Sequence, residues 1–205
     1  MKRIIMLSLL LATSASAQVA RVFLAGTGND AGDCTNQATP CRSLQGAVTA
    51  CPVNGEIIIL DNGGYGGATI TKSLTVNASA GVVAFIARTI TVNIGATDKV
   101  VLRGLSMNGA VFHDPNGILF SGGGTLVVEN SVIAGFLTGF DPGIGILQGA
   151  AGASATIRVT NSTIYHNGDG MFISGAGAAI ESYGKNRVTA NTNGSTFSGT
   201  VLPLQ

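Results

Sequence analysis

Apolar and polar residues alternate in short runs along most of this chain, and the runs repeat. "LVVEN" from Leu126 and "IRVTN" from Ile157 carry apolar residues at every second position and end on asparagine. A period of two predicts strands with one face buried. Aligned on that last residue, "VVLRGLSM", "LVVENSVI" and "IRVTNSTI" put Gly104, Asn130 and Asn161 in one column, and "GKNRV" offers Asn186 as a fourth member. A second set of strands follows each phrase: "GILF" from Gly117, "GIL" from Gly145 and "GMFI" from Gly170. The repeat distance is 25 to 31 residues. Several short strands per repeat predict a stack of coils, since no single repeat can bury its own apolar face.

The column has a physical reason. A sharp corner between two strands needs left-handed backbone, which glycine adopts freely and asparagine tolerates better than most. Asparagines stacked about 4.8 Å apart can also hydrogen-bond to one another along the stack. In this register Val100, Leu126 and Ile157 point inward, as do Leu102, Val128 and Val159. Arg103, Glu129 and Thr160 point outward, with Arg103 and Glu129 as cross-strand neighbours. One segment breaks the strand pattern. In "SLQGAVTAC", Leu44, Ala47, Val48 and Cys51 follow helical spacing up to Pro52. A short helix with one apolar face there suits a lid over the open end of the first coil.

Composition supports an exported all-β chain. Glycine occurs 30 times and charged residues make up only 10% of the 205 residues. The start, "MKRIIMLSLLLATSASA", has a basic opening, an apolar run and a small-residue cleavage site after Ala17, and so predicts a leader over 1–17. The remainder divides into a cap over 18–54 and coils with a tail over 55–205, and predicts a secreted or periplasmic protein with no membrane span. Nine basic and ten acidic side chains remain past Ala17, which excludes a nucleic-acid footprint or a polybasic membrane patch. Of three cysteines, Cys34 and Cys41 flank a loop containing Pro40 and are expected to form a disulfide, leaving Cys51 buried on the helix.

The asparagine corner, with the opening "RVFLAGTGNDAGDCTNQATPCRSLQGAV" and "GEIIILDNGGYGGATITKSLTV", resembles secreted right-handed parallel β-helix proteins of the pectin-lyase-like superfamily. The resemblance implies an all-β single-stranded right-handed parallel β-helix of five to six coils with a short N-terminal capping helix. It implies little about activity, because that fold carries lyases, hydrolases and adhesins alike. In its enzymes the substrate cleft lies on the sheet corresponding to "GILF", "GIL" and "GMFI". A lyase would need acidic calcium ligands and a basic residue on that face. Here the strands are apolar on both sides, with Leu119, Leu147 and Phe172 in one column and Ile118, Ile146 and Met171 in the other. The first stripe is therefore expected to be covered, by the C-terminal "STFSGTVLPLQ" or by a second copy.

Candidate chemistry gathers in the loops before that sheet, "FHDPNG", "FDPGIG" and "YHNGDG". They hold both histidines, His113 and His166, with Asp114, Asp141 and Asp169. Stacked carboxylates beside an imidazole could serve acid–base catalysis; Asp-Pro and Asn-Gly are equally ordinary turn chemistry. Asp30 and Asp33 in "GTGNDAGD" are the one place to look for calcium, without the length of an EF-hand loop; no other metal or cofactor is evident. Tyr65, Tyr165 and Phe172 remain as sugar-stacking candidates in a chain without tryptophan. Threonines of the two "TIT" triplets, as arrayed on ice-binding β-helices, are too few to form a plane. Asn77, Asn161 and Asn193 lie in glycosylation sequons, although Asn161 belongs to the corner. The leading expectation is an exported scaffold or binding module for a polysaccharide, a surface glycan or a partner protein, with self-association through the apolar face as one route. The alternative is a polysaccharide lyase or glycosidase using the Asp/His loops.

Overall fold

A computed structural model of the chain describes residues 20–137, 143–149, 155–193 and 197–202; the expected leader and Asp141 lie outside these. The first strand β1 (Arg21–Leu24) is followed by the helix α1 (Leu44–Ala50). The chain then runs through rounds of three strands. The first is β2 (Gly55–Ile59), β3 (Gly63–Gly64) and β4 (Ala68–Ile70), and the second β5 (Leu74–Ala78), β6 (Ala84–Ile86) and β7 (Ile90–Val92). The third is β8 (Lys99–Arg103), β9 (Leu105–Asn108) and β10 (Asn116–Phe120), and the fourth β11 (Thr125–Glu129), β12 (Val132–Ala134) and β13 (Ile144–Gln148). The fifth is β14 (Thr156–Thr160), β15 (Thr163–Tyr165) and β16 (Asp169–Ile173), and β17 (Ala179–Ser182) and β18 (Arg187–Thr189) begin a sixth.

Each strand pairs in parallel with its counterpart one round away. The result is three parallel sheets, taken in the order the chain meets them, of seven, six and five strands: β1-β2-β5-β8-β11-β14-β17, β18-β15-β12-β9-β6-β3 and β16-β13-β10-β7-β4. The chain visits the sheets in fixed rotation, an arrangement compatible with a parallel β-helix. Alternation along each strand stacks like residues into the interior. Val76, Leu102, Val128 and Val159 form one fully buried row. Ile90, Ile118 and Ile146, with Met171 beyond, form another on the third sheet. Because β1 pairs with β2 and its Val22 and Leu24 share the one core, the N-terminal segment and the coils pack as a unit.

The helix forms where its apolar spacing predicted. Ser43 caps it, accepting from the Gly46 N–H at 3.0 Å. Asp30 lies against the same end and accepts from the Arg42 and Ser43 N–H groups and from the Ser43 hydroxyl. Gly46 is required there, since a Cβ would come within 2.2 Å of the Asp30 carboxylate. Burial works against ionised Asp30, but the hydrogen bonds from Ser43 and Arg42 and the Arg42 charge hold its pKa below the ordinary carboxylate value. Both Asp30 oxygens are thus engaged with the helix start, while Asp33 accepts from the Thr35 N–H. Cys34 and Cys41 form the expected disulfide, and Cys51 is buried with its thiol pKa raised by that burial.

The corner between the first and second sheets follows the expected column with one correction. Gly104, Asn130 and Asn161 all have positive φ, at 75°, 50° and 46°. The Asn161 amide donates to Asn130 Oδ1 at 2.7 Å. The fourth member, however, is Lys185 (φ 55°) and not Asn186, because β15 pairs Thr163 with Arg187. Asn186 instead falls one step later, on an inward row with Leu105, Ser131 and Ser162. Those serines are buried and bridge successive rounds. Ser131 Oγ accepts from Leu105 N–H, Ser162 Oγ from Ser131 N–H, and Asn186 Oδ1 from Ser162 N–H. On the outside, Arg103 Nε meets Glu129 at 2.7 Å, as the register required; an exposed pair of this kind contributes about 0.2–1 kcal/mol.

Candidate functional site

The loops leading into the third sheet put each candidate residue in a specific structural role. Asp114 precedes β10 by two residues. One of its oxygens meets Arg88 Nη1 at 2.9 Å and the other accepts from the Thr89 N–H at 2.9 Å. Thr89 completes the link by donating its hydroxyl to the Asn116 carbonyl at 2.6 Å. The Arg88 guanidinium also stacks over Phe112, 4.0 Å from the ring centroid. Asp114 therefore staples its loop to the preceding round, a turn function. His113, with φ 58°, donates its backbone N–H to the Gly109 carbonyl and is exposed.

His166 does not join Asp114. In register with Gly135 and Ala190 it forms a second left-handed column, with φ values of 71°, 55° and 52°. The backbone at this corner is linked from round to round, Gly135 N–H to the His166 carbonyl and His166 N–H to the Ala190 carbonyl. The imidazole stands outside this corner, exposed. Asp169 opens β16, opposite Ile144, which in turn pairs with Asn116. That register matters for the two Asp-Pro loops. Asp114 lies two residues before Asn116, and Asp141 three residues before Ile144. Asp141 itself lies outside the described residues.

A buried amide network was missed in the sequence. One position past His166, Asn167 is fully buried. Its Oδ1 accepts from Phe136 N–H at 3.1 Å; its Nδ2 donates to the Ile133 carbonyl at 3.2 Å and to Asn191 Oδ1 at 3.0 Å. Asn191 repeats the move toward Ile164. The signal was the 24-residue spacing that Asn167 and Asn191 share with Ser162 and Asn186. Above Asn167, the fully buried Phe136 ring occupies space left by Gly109 and Gly117. A Cβ at either would come within 2.4 Å or 2.8 Å of it.

The third sheet presents Thr69, Thr91, Leu119, Leu147 and Phe172 as one outward row. Within the single chain its apolar half is left partly open: Leu119 and Leu147 are half-buried and Phe172 is 46% exposed. The described residues of the C-terminal segment, the first of the two expected covers, go elsewhere. Ser182 N–H bonds to the Thr200 carbonyl and Leu202 N–H to the Ser182 carbonyl, so residues 200–202 satisfy the edge of β17 in the first sheet. Exposed Val111, Phe112 and Leu137 lie on the loops that lead into the same sheet. Tyr165 is on a different face, 40% exposed on the second sheet. Tyr65 is unavailable to any ligand. It is buried and donates its hydroxyl to Asp61, and burial together with that carboxylate raises its pKa far above the ordinary tyrosine value. Among the described residues, no group of three or more His, Cys, Asp or Glu side chains gathers around a common point, and no helix is long and apolar enough to cross a membrane.

No family model, no curated protein and no solved structure matches the chain.

Proposed function

We propose that the protein is an exported, right-handed parallel β-helix of the pectin-lyase-like kind that acts by binding, with the outer face of the third sheet meeting a partner macromolecule. The observation that carries this reading is the half-exposed row Leu119–Leu147–Phe172 on a regular sheet. A contiguous apolar row on a chain with so few charges marks a contact surface. Asp114 adds support, because both of its oxygens are committed to Arg88 and Thr89. In this fold α1 caps the first coil, and the buried disulfide suits an oxidising compartment.

The test replaces outward residues only. Leu147→Ser with Phe172→Ser leaves the inward rows intact and should keep the denaturation midpoint close to wild type. Wild type should self-associate in sedimentation velocity or be retained by at least one member of a polysaccharide and extracellular-protein panel, and the double variant should lose most of that interaction. Identical behaviour of the two proteins throughout would overturn the reading.

A further inference from the structure

A stack of coils carries unpaired backbone at both ends of every sheet. At the N-terminal end each of the three edges is answered. β1 bonds to the disulfide segment, Phe23 N–H to the Cys34 carbonyl and Cys41 N–H to the Phe23 carbonyl. Arg42 Nη1 donates to the Gly64 carbonyl on β3, and the Gln45 side chain accepts from Thr69 N–H on β4. At the C-terminal end residues 200–202 bond to Ser182 of β17, and Asn193 N–H bonds to the Gly168 carbonyl just before β16. β18 ends the second sheet, and among the described residues nothing pairs with its outer side.

The edge has a definite chemistry. Arg187 N–H donates to the Ser162 carbonyl of the preceding round. Alternation along a parallel ladder then turns the Val188 N–H and carbonyl away from β15. The core stops at the same place. Ile86, Met107, Ile133 and Ile164 form a buried inward row, and Val188 ends it half-buried. Two cations flank this end. Lys185 at the corner and Arg187 on the outward side of β18 are exposed, and neither makes an ion pair among the described residues. Glu181, in the same round, is held by Arg158. The stretch "YGKNRVTANTN" from Tyr183 contains no acidic residue at all.

We propose that β18 is the docking edge for an extended acidic segment of a partner protein, added as one more strand of the second sheet. The Val188 N–H and carbonyl pair with its backbone, an apolar side chain continues the Ile164–Val188 row, and carboxylates on the neighbouring positions meet Arg187 and Lys185. The segment that fits alternates acidic and apolar residues. The same charges select against a second copy. A twofold axis through this edge lays β18 antiparallel to itself and gathers both copies' Lys185 and Arg187 with no acid to offset them. Cations on an open edge ordinarily deter self-pairing, and here they leave the edge open to a segment of opposite sign. The site shares no residue with the Leu119–Leu147–Phe172 row, so each surface can fail alone.

The experiment is a fluorescence-anisotropy titration of the full chain into a short, blocked, labelled peptide that alternates glutamate and valine. Comparison peptides replace every glutamate by lysine, replace every valine by serine, or carry N-methyl groups that remove backbone donors. The glutamate–valine peptide should bind at least tenfold more tightly than each of the three. Lys185→Asn with Arg187→Thr should weaken that binding tenfold or more; both are surface changes, and asparagine tolerates the positive φ at 185. Leu147→Ser with Phe172→Ser should leave it unchanged. The Val188 backbone amide should exchange rapidly with solvent in the free protein and at least tenfold more slowly with peptide bound. No binding of the glutamate–valine peptide, equal binding of any comparison peptide, or binding that survives Lys185→Asn with Arg187→Thr in a folded protein would overturn the assignment. So would a Val188 amide already protected in the free chain, by its own tail or by a second copy.

Discussion

Asn167→Leu should destabilise the protein by roughly 3–5 kcal/mol, since each orphaned buried polar group costs about 1–3 kcal/mol. Leucine is close in volume, so packing alone does not produce this effect. The variant strips Phe136 N–H of its acceptor and Asn191 Oδ1 and the Ile133 carbonyl of a donor, in a place closed to water. The backbone bond from Asn167 N–H to Asn191 survives. Asn161→Leu provides the contrast. Asn161 is exposed, and its amide makes one ladder bond. Its loss, with leucine forced into left-handed backbone, should cost roughly 1–3 kcal/mol. Asn161→Gly should cost less, because Gly104 already occupies that column. Urea denaturation followed by circular dichroism ranks the three. Equal midpoints for Asn167→Leu and wild type would remove the buried ladder from the account.

The second large effect is expected at Phe136. Phe136→Ala should cost about 3–5 kcal/mol, the range for a fully buried aromatic truncated to alanine. The ring fills a space that the preceding round leaves by carrying Gly109 and Gly117. The cavity cannot close by small shifts, because the sheets on either side are held in register by parallel ladders. Gly117→Ala should destabilise from the opposite direction, by overpacking against the same ring. A Phe136→Ala protein with an unchanged denaturation midpoint would show that the ring is not part of the folded core.

The rotation of strands and the inward rows were legible because both rest on local rules, alternation within a strand and a left-handed residue at a corner. Gly104, Asn130 and Asn161 announce the corner because glycine and asparagine favour that backbone. Lys185 does not announce it, since lysine has no such preference although it takes the same positive φ. Asn186 attracted the wrong register for the same reason, as an asparagine beside a corner whose side chain serves the interior. The serines after Asn130 and Asn161 were visible, but their inward hydroxyls break the rule that inward positions are apolar.

Site chemistry was harder to read because its partners are distant in sequence. Asp114 looks like a free carboxylate until Arg88, 26 residues earlier, is placed beside it. His113 and His166 drew attention as the two imidazoles of the chain, yet both have left-handed backbone at turns, and His166 aligns with a glycine and an alanine in that role. The open edge at β18 was illegible altogether. It depends on which strand ends the second sheet and on where residues 200–202 lie, neither of which has a motif of its own.

The central claim is that this protein works by binding and does not transform what it binds. The most direct measurement is incubation of the purified protein with acidic and neutral polysaccharides, with and without calcium. New reducing ends and the ultraviolet absorbance of an unsaturated uronide are followed alongside co-sedimentation. The account predicts no product in either channel, and for any polysaccharide that is retained, the same retention by Asp114→Asn. Release of either product at a rate that Asp114→Asn abolishes would contradict it and return the Asp/His loops to a catalytic role.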